Sequence, residues 1–280
     1  MSPPPPPVSK SLREYARGMA GGLMFSLPLL YTMEVWWAGF VADPMRLVIY
    51  VAATFILLLG YNHYAGLHHD ASWQEVAIDS VEEMGLGLVL AAGVLFLLGQ
   101  LESDMHAYEI IGKVTVEAMT VAIGISVGTS QLGGGDDQEP RGSAEVSAKE
   151  EVTFGGQVVI AACGAMLFAA NVAPTEEIVM IASESRLVNI LGLAAVSIML
   201  TALILYYIEF TGSGTFVRSS GWVSVVIGTA VTYAVALVIS AAVLWFFGRF
   251  DEALITCVAQ TVVLGLAATL GASAGRLLLQ

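Results

Sequence analysis

Long apolar runs alternate with short polar stretches along this chain. Eight segments reach or approach the length of a membrane span: Met19–Phe40, Leu47–Tyr64, Val76–Leu98, Ile110–Leu132, Gln157–Ile181, Leu187–Phe210, Val223–Phe247 and Ala253–Leu277. A helix needs about 20 predominantly apolar residues to cross a hydrocarbon core of about 30 Å. The weaker signature of a membrane barrel, short segments that alternate apolar and polar positions, is missing from the pattern. The predicted fold class is all-α: a polytopic transmembrane helical bundle of about eight spans.

Composition agrees with the pattern. Of 280 residues, 56% are hydrophobic and 12% charged, with a mean hydropathy of +0.77. A soluble domain carries about a quarter charged residues. The net charge of −13 lies mostly in loops and at span ends. That balance excludes nucleic acid as a partner and suits cations. Cys163 and Cys257 both sit in apolar segments at no metal or redox spacing, and read as small packing residues.

The N-terminus carries a polyproline run, Pro3–Pro7, followed by Lys10, Arg13 and Arg17. Residues 1–17 are expected to be a disordered cytoplasmic tail, leading into an uncleaved first span. With eight spans, Lys10, Arg13, Arg17, Arg141, Lys149, Arg218 and Arg276 fall on one side; Arg46, Lys113, Arg186 and Arg249 fall on the other. The Lys/Arg excess places the first side, and both termini, in the cytoplasm. The expected location is the inner (plasma) membrane of a cell.

The two halves of the sequence resemble one another. LMFSLPLLYTMEV from Leu23 aligns with MLFAANVAPTEEI from Met166 at an offset of 143, pairing Thr32 with Thr175 and Glu34 with Glu177. LLLGYNHYAG from Leu57 aligns with LILYYIEFTG from Leu203 at 146. AGVLFLLGQL from Ala92 aligns with AAVLWFFGRF from Ala241 at 149, and IGISVG from Ile123 with LGASAG from Leu270 at 147. Four matches in one order predict two tandem four-helix repeats, 18–132 and 155–280, joined by a flexible acidic linker at 133–154. An even number of spans per repeat gives both copies the same sense across the membrane, so the relating axis runs along the membrane normal. By analogy, such a duplicated bundle encloses a pathway at the repeat interface.

Candidate chemistry rests on carboxylates. Glu34 lies within the first segment, roughly 13 Å below its end at 1.5 Å per residue, and Glu177 lies at the matching depth with Glu176 beside it. A carboxylate within a span costs about 2.5–3.5 kcal/mol on insertion scales, so a matched pair suggests a shared function. Pro28 and Pro174 precede them, and a proline frees backbone carbonyls on the preceding turn. The competing reading is that both glutamates are solvated at the outer interface. Glu117 is the deepest acid. It shares a helix face with Glu109 and Lys113, which could neutralise either neighbour.

Glu75, Asp79, Glu82 and Glu83 have helical spacing and form one stripe at the start of the third segment. The stripe is either an acidic vestibule that concentrates cations or an amphipathic helix lying on the membrane surface. His63, His68 and Asp70 could share a metal ion only if the loop after Gly66 folds back, and Glu209 aligns with His63 in the second copy. Solvated interface residues are the plainer reading of that group. Gly124-x-x-x-Gly128 and Gly271-x-x-x-Gly275 read as helix-packing sites, and the tryptophans near span ends read as interfacial anchors.

No Walker sequence, nucleophile motif, dinucleotide fingerprint or HExxH is present, and no cofactor is expected. With MEVWW at Met33–Trp37 and APTEE at Ala173–Glu177, the whole chain resembles a bacterial family of multi-pass integral membrane proteins. That resemblance implies a membrane location and assigns no catalytic residues. The expected function is membrane cation transport, by an ion channel or a proton-coupled cation transporter, with Glu34, Glu177, Glu117, Glu176 and Glu209 along the pathway. The alternatives are a non-transporting scaffold or sensor with an acidic cytoplasmic face, and a membrane-embedded metal-dependent enzyme using the histidines. The partners expected are the lipid bilayer and cations, either protons or metal ions, with a homo-oligomer left open.

Overall fold

The computed structural model describes residues 8–66, 72–102, 104–133, 153–210, 222–250 and 253–278. Among them the chain forms ten helices and no strand: α1 (Val8–Leu30), α2 (Met33–Val41), α3 (Pro44–Ala65), α4 (Trp73–Leu97), α5 (Ala107–Gly133), α6 (Phe154–Val172), α7 (Glu176–Glu184), α8 (Leu187–Phe210), α9 (Trp222–Phe246) and α10 (Leu254–Leu278). Seven of these (α3, α4, α5, α6, α8, α9 and α10) are long and apolar enough to cross a membrane.

Two of the predicted apolar segments are divided. The first contributes to α1 and α2, which part at Tyr31–Thr32; the fifth contributes to α6 and α7, which part at Ala173–Thr175. In addition, α1 starts at Val8, so residues 8–17, expected to be disordered, are helical. Its first three turns carry Lys10, Arg13, Glu14 and Arg17, which keeps this helix below the apolarity of the seven spans.

Local sequence signals set the helix ends. Asp43 accepts a hydrogen bond from the Met45 N–H (2.8 Å) just ahead of Pro44 at the first helical position of α3. Ser72 and Glu75 form a reciprocal capping box at the start of α4, with the Glu75 carboxylate 2.7 Å from the Ser72 N–H. Both α4 and α9 end on a glycine in the left-handed region, Gly99 at φ +70° and Gly248 at φ +71°. In both, the next residue reaches back into the last turn: the Gln100 N–H to Leu95 O (2.8 Å) and the Arg249 N–H to Leu244 O (2.9 Å).

The helices gather around two hubs. α5 packs against α1, α2, α3 and α4, while α10 packs against α6, α7, α8 and α9. Close approach at each hub depends on glycine. A Cβ on Gly21 of α1 would collide with Gly128 and Gly124 of α5, and one on Gly164 of α6 would collide with Gly271 of α10. α5 is buried around most of its circumference. α3, α4 and α8 bury only a stripe and expose residues such as Ile56, Val89, Phe96, Leu191 and Met199. So much outward apolar surface suits lipid.

The groups of helices α1–α5 and α6–α10 meet where α1, α3 and α5 lie on α6 and where α3 touches α9. Tyr50 stacks on Phe246 with ring centroids 4.2 Å apart. Arg46 lies over the Trp245 ring (5.4 Å) and donates to the Trp245 carbonyl (3.3 Å). The Cys163 thiol faces Leu57 O at 3.7 Å.

Candidate functional site

The break after α1 is a point of contact between the two groups of helices. Pro28 has no N–H to offer the carbonyl one turn earlier. Beside it, the Asn171 side chain of α6 serves the next rung of α1: its Oδ1 accepts from the Leu29 N–H (2.8 Å) and its Nδ2 donates to Phe25 O (3.0 Å). The same amide also donates to Leu167 O in its own helix. The turn itself closes through the Thr32 hydroxyl on Pro28 O (2.6 Å), and the Trp36 indole N–H caps Leu30 O (3.2 Å). At the sequence offset of 143, Asn171 aligns with Pro28.

The break after α6 is held differently. Arg249, just past α9, donates to Pro174 O and to Glu176 Oε1 (3.0 Å). It therefore ties both sides of the break to one guanidinium.

These breaks reposition the paired glutamates. Glu34, expected deep within a span, lies half-buried in the first turn of α2, beyond the end of α1. Glu176 and Glu177 are exposed in the first turn of α7, where carboxylates complement the helix dipole. The depth inferred for Glu34 and Glu177 assumed helices continuous across Tyr31–Thr32 and Ala173–Thr175, and the breaks remove that assumption.

Glu117 is the buried carboxylate. It lies ten residues into α5, roughly 15 Å from the helix start, and is 0% exposed. Neither of its oxygens meets a hydrogen-bond partner among the described residues. Lys113, one turn earlier and also buried, turns away from it. The ammonium lies 3.8 Å from Glu109, donates to Gln100 O at 3.3 Å and approaches the Phe40 ring at 5.7 Å. Of the two neighbours that Lys113 could neutralise, it takes Glu109. One turn beyond Glu117, the buried Thr120 hydroxyl lies 3.1 Å from that of Tyr50 of α3.

A second polar group joins α3, α4 and α5 nearer their other ends. Asn62 donates to Glu83 (2.7 Å) and Ser80 (3.1 Å), and accepts from Ser126 (2.6 Å). The acidic stripe is thereby divided. Glu83 turns inward to Asn62, Glu82 is exposed and accepts from Tyr15 (3.4 Å), Glu75 caps the helix, and Asp79 is half-buried. The stripe occupies the first turns of α4 itself.

His63 is exposed and stacks on Trp73 at 4.4 Å. His68 and Asp70 lie outside the described residues, as does the Glu209 side chain, although Glu209 itself is in α8. No group of three metal-binding side chains occurs among the described residues. An outward groove of 410 Å³ runs between α3, α4 and α5, lined by Leu47, Val51, Phe55, Met84 and Thr115 among others, and its apolar walls offer no place for an ion.

A family model described as "Putative integral membrane protein (DUF2391)" matches residues 14–279, nearly the whole chain. The chain belongs to this family. The match takes in all seven spans, both helix breaks and Glu117. No curated protein and no solved structure matches it.

Sequence reasoning overlooked Asn171, Tyr50, Thr120 and Asn62. Polar side chains of this size do not interrupt an apolar run. The available signal was Asn171 standing opposite Pro28 in the internal alignment.

Proposed function

We propose that this membrane protein moves a small cation across the bilayer through a site centred on Glu117. The observation that carries the reading is a carboxylate with no exposed surface and, among the described residues, no hydrogen-bond partner, set in the most buried of the seven described spans. An acid within a span costs about 2.5–3.5 kcal/mol on insertion scales and by default marks an ion or proton pathway. Interrupted helices support the reading, because transporters commonly build ion sites where a span is broken. α2, the piece beyond the first break, packs on α5 with Gly39 against Gly112 and Lys113.

In this proposal α1 is the eighth span, and α1–α5 and α6–α10 are parallel tandem repeats. Their equivalent hubs, matched glycine contacts and identical closures at Gly99 and Gly248 support the duplication. The Lys/Arg excess favours cytoplasmic termini in the inner (plasma) membrane. Glu34, Glu176 and Glu177 belong to the mouth where α2 and α7 lie, and Glu75, Asp79 and Glu82 to the opposite mouth. The pathway serves transport and no chemical step is assigned to it.

The test is cation uptake by proteoliposomes. Glu117→Gln should abolish uptake while eluting as folded protein, and Glu34→Gln or Glu177→Gln should slow it only partly. Uptake by Glu117→Gln at the wild-type rate would remove the proposal.

A further inference from the structure

We infer that the ion held at Glu117 is a proton and that the Thr120 and Tyr50 hydroxyls carry it to and from that carboxylate. This rests on the reading of Glu117 as the transport site and identifies its cargo. A hard metal ion such as calcium takes roughly 6–8 oxygen ligands, and no group of three metal-binding side chains, at Glu117 or elsewhere, occurs among the described residues. A proton needs one lone pair. Taking it up turns a buried charge into a neutral carboxyl group, the state an apolar site favours.

Part of a delivery route is formed: the Thr120 and Tyr50 hydroxyls pair with each other, and a side-chain rotation would bring Thr120 onto the unpartnered Glu117 carboxylate. Thr120 lies one turn from Glu117 on α5, and its hydroxyl is 3.1 Å from that of the buried Tyr50. In a transfer, each hydroxyl accepts one proton and releases the one it held. Thr120 and Tyr50 are therefore unchanged, and Glu117 passes from carboxylate to carboxylic acid. Water at one face supplies the proton, and the reverse step returns it to water at the other.

The neighbours are few in charge. On α5 they are Lys113 and Glu109, which engage each other. α3 supplies Tyr50, α2 carries the half-buried Glu34 in its first turn, and α6 supplies the neutral Asn171. At this level α4 and α1 present Gly87 and Gly22, packed on Ala118 and Val121.

The experiment uses the full chain in liposomes of neutral lipid, with an internal pH-sensitive dye and parallel uptake of sodium and potassium. The expected result is proton uptake that falls to the level of empty liposomes in Glu117→Gln and about tenfold, or 1.4 kcal/mol in barrier, in Tyr50→Phe and Thr120→Val. Tyr50→Phe keeps the ring on Phe246 and Thr120→Val keeps the volume, so both should fold. Infrared spectroscopy of the same samples should show a protonated-carboxyl stretch that disappears in Glu117→Gln and persists in Tyr50→Phe. Glu117-dependent sodium or potassium uptake without proton movement overturns the proton and leaves the carboxylate reading standing. The infrared band without flux of any ion upholds the bound proton and overturns transport. Wild-type proton uptake in both hydroxyl variants overturns the relay.

Discussion

α5 and α10 hold the same place in their halves, each enclosed by four other helices, yet their cores differ in chemistry. At an offset of 147, Lys113, Glu117 and Thr120 of α5 face Gln260, Leu264 and Ala267 of α10. Leu264 is fully buried in the apolar core, one turn from the buried, neutral Gln260, while Glu117 is equally buried and has no hydrogen-bond partner among the described residues. The breaks differ in the same way. Both breaks carry a threonine hydroxyl on a carbonyl of the preceding helix; Arg249 adds a guanidinium at the α6–α7 break, while an indole N–H and an amide from the other half are added at the α1–α2 break. The comparison teaches that matched packing does not require matched chemistry. One half carries a costly acid at its hub, and the other carries a leucine at the same place.

Exchanging the two central residues should break this contrast most visibly. Glu117→Leu makes α5 resemble α10 and should raise stability by about 2.5–3.5 kcal/mol on the insertion scale, while abolishing ion uptake. Leu264→Glu should lower stability by a similar amount and create no uptake. Thermal unfolding in detergent, followed by the helical circular-dichroism signal, measures both. Asn171→Ala comes next. It leaves the Leu29 N–H and Phe25 C=O without their side-chain partner and should cost about 1–3 kcal/mol, whereas Asn171→Asp keeps the acceptor and should cost less. Gly21→Val and Gly164→Val test whether the hubs are equivalent, since overpacking costs roughly 1–3 kcal/mol and the two losses should match. The smallest effect belongs to Arg249→Gln. Its partner Glu176 is largely exposed, and such pairs are worth about 0.2–1 kcal/mol after screening. A loss well above that range would mean that the Pro174 carbonyl contact is the main fastening.

The helices themselves were legible because lipid imposes length and apolarity on every span. Both breaks were not, since Met19–Phe40 and Gln157–Ile181 stay apolar across them; only Pro28 and Pro174 hinted that the backbone turns there. The depth inferred for Glu34 and Glu177 rested on helices continuous through these points, and both residues lie instead in the first turns of α2 and α7. Glu117 was legible as an acid with no apolar alternative nearby. Its isolation was not, because helical spacing allows Lys113 to serve either Glu109 or Glu117, and the choice depends on Gln100 and Phe40, which are distant in sequence. Spacing also united Glu82 and Glu83 in one stripe, although adjacent helical residues point about 100° apart and meet different helices. Asn62, Ser80 and Ser126 were invisible as a group because three separate helices contribute them.

The central claim is that one carboxylate in α5 is the ion site. Cation uptake by liposomes carrying Glu117→Gln, set against wild type and Glu34→Gln at equal protein content, tests it most directly. The account predicts no uptake above empty liposomes for Glu117→Gln and a reduced but measurable rate for Glu34→Gln. Wild-type uptake by folded Glu117→Gln would contradict it.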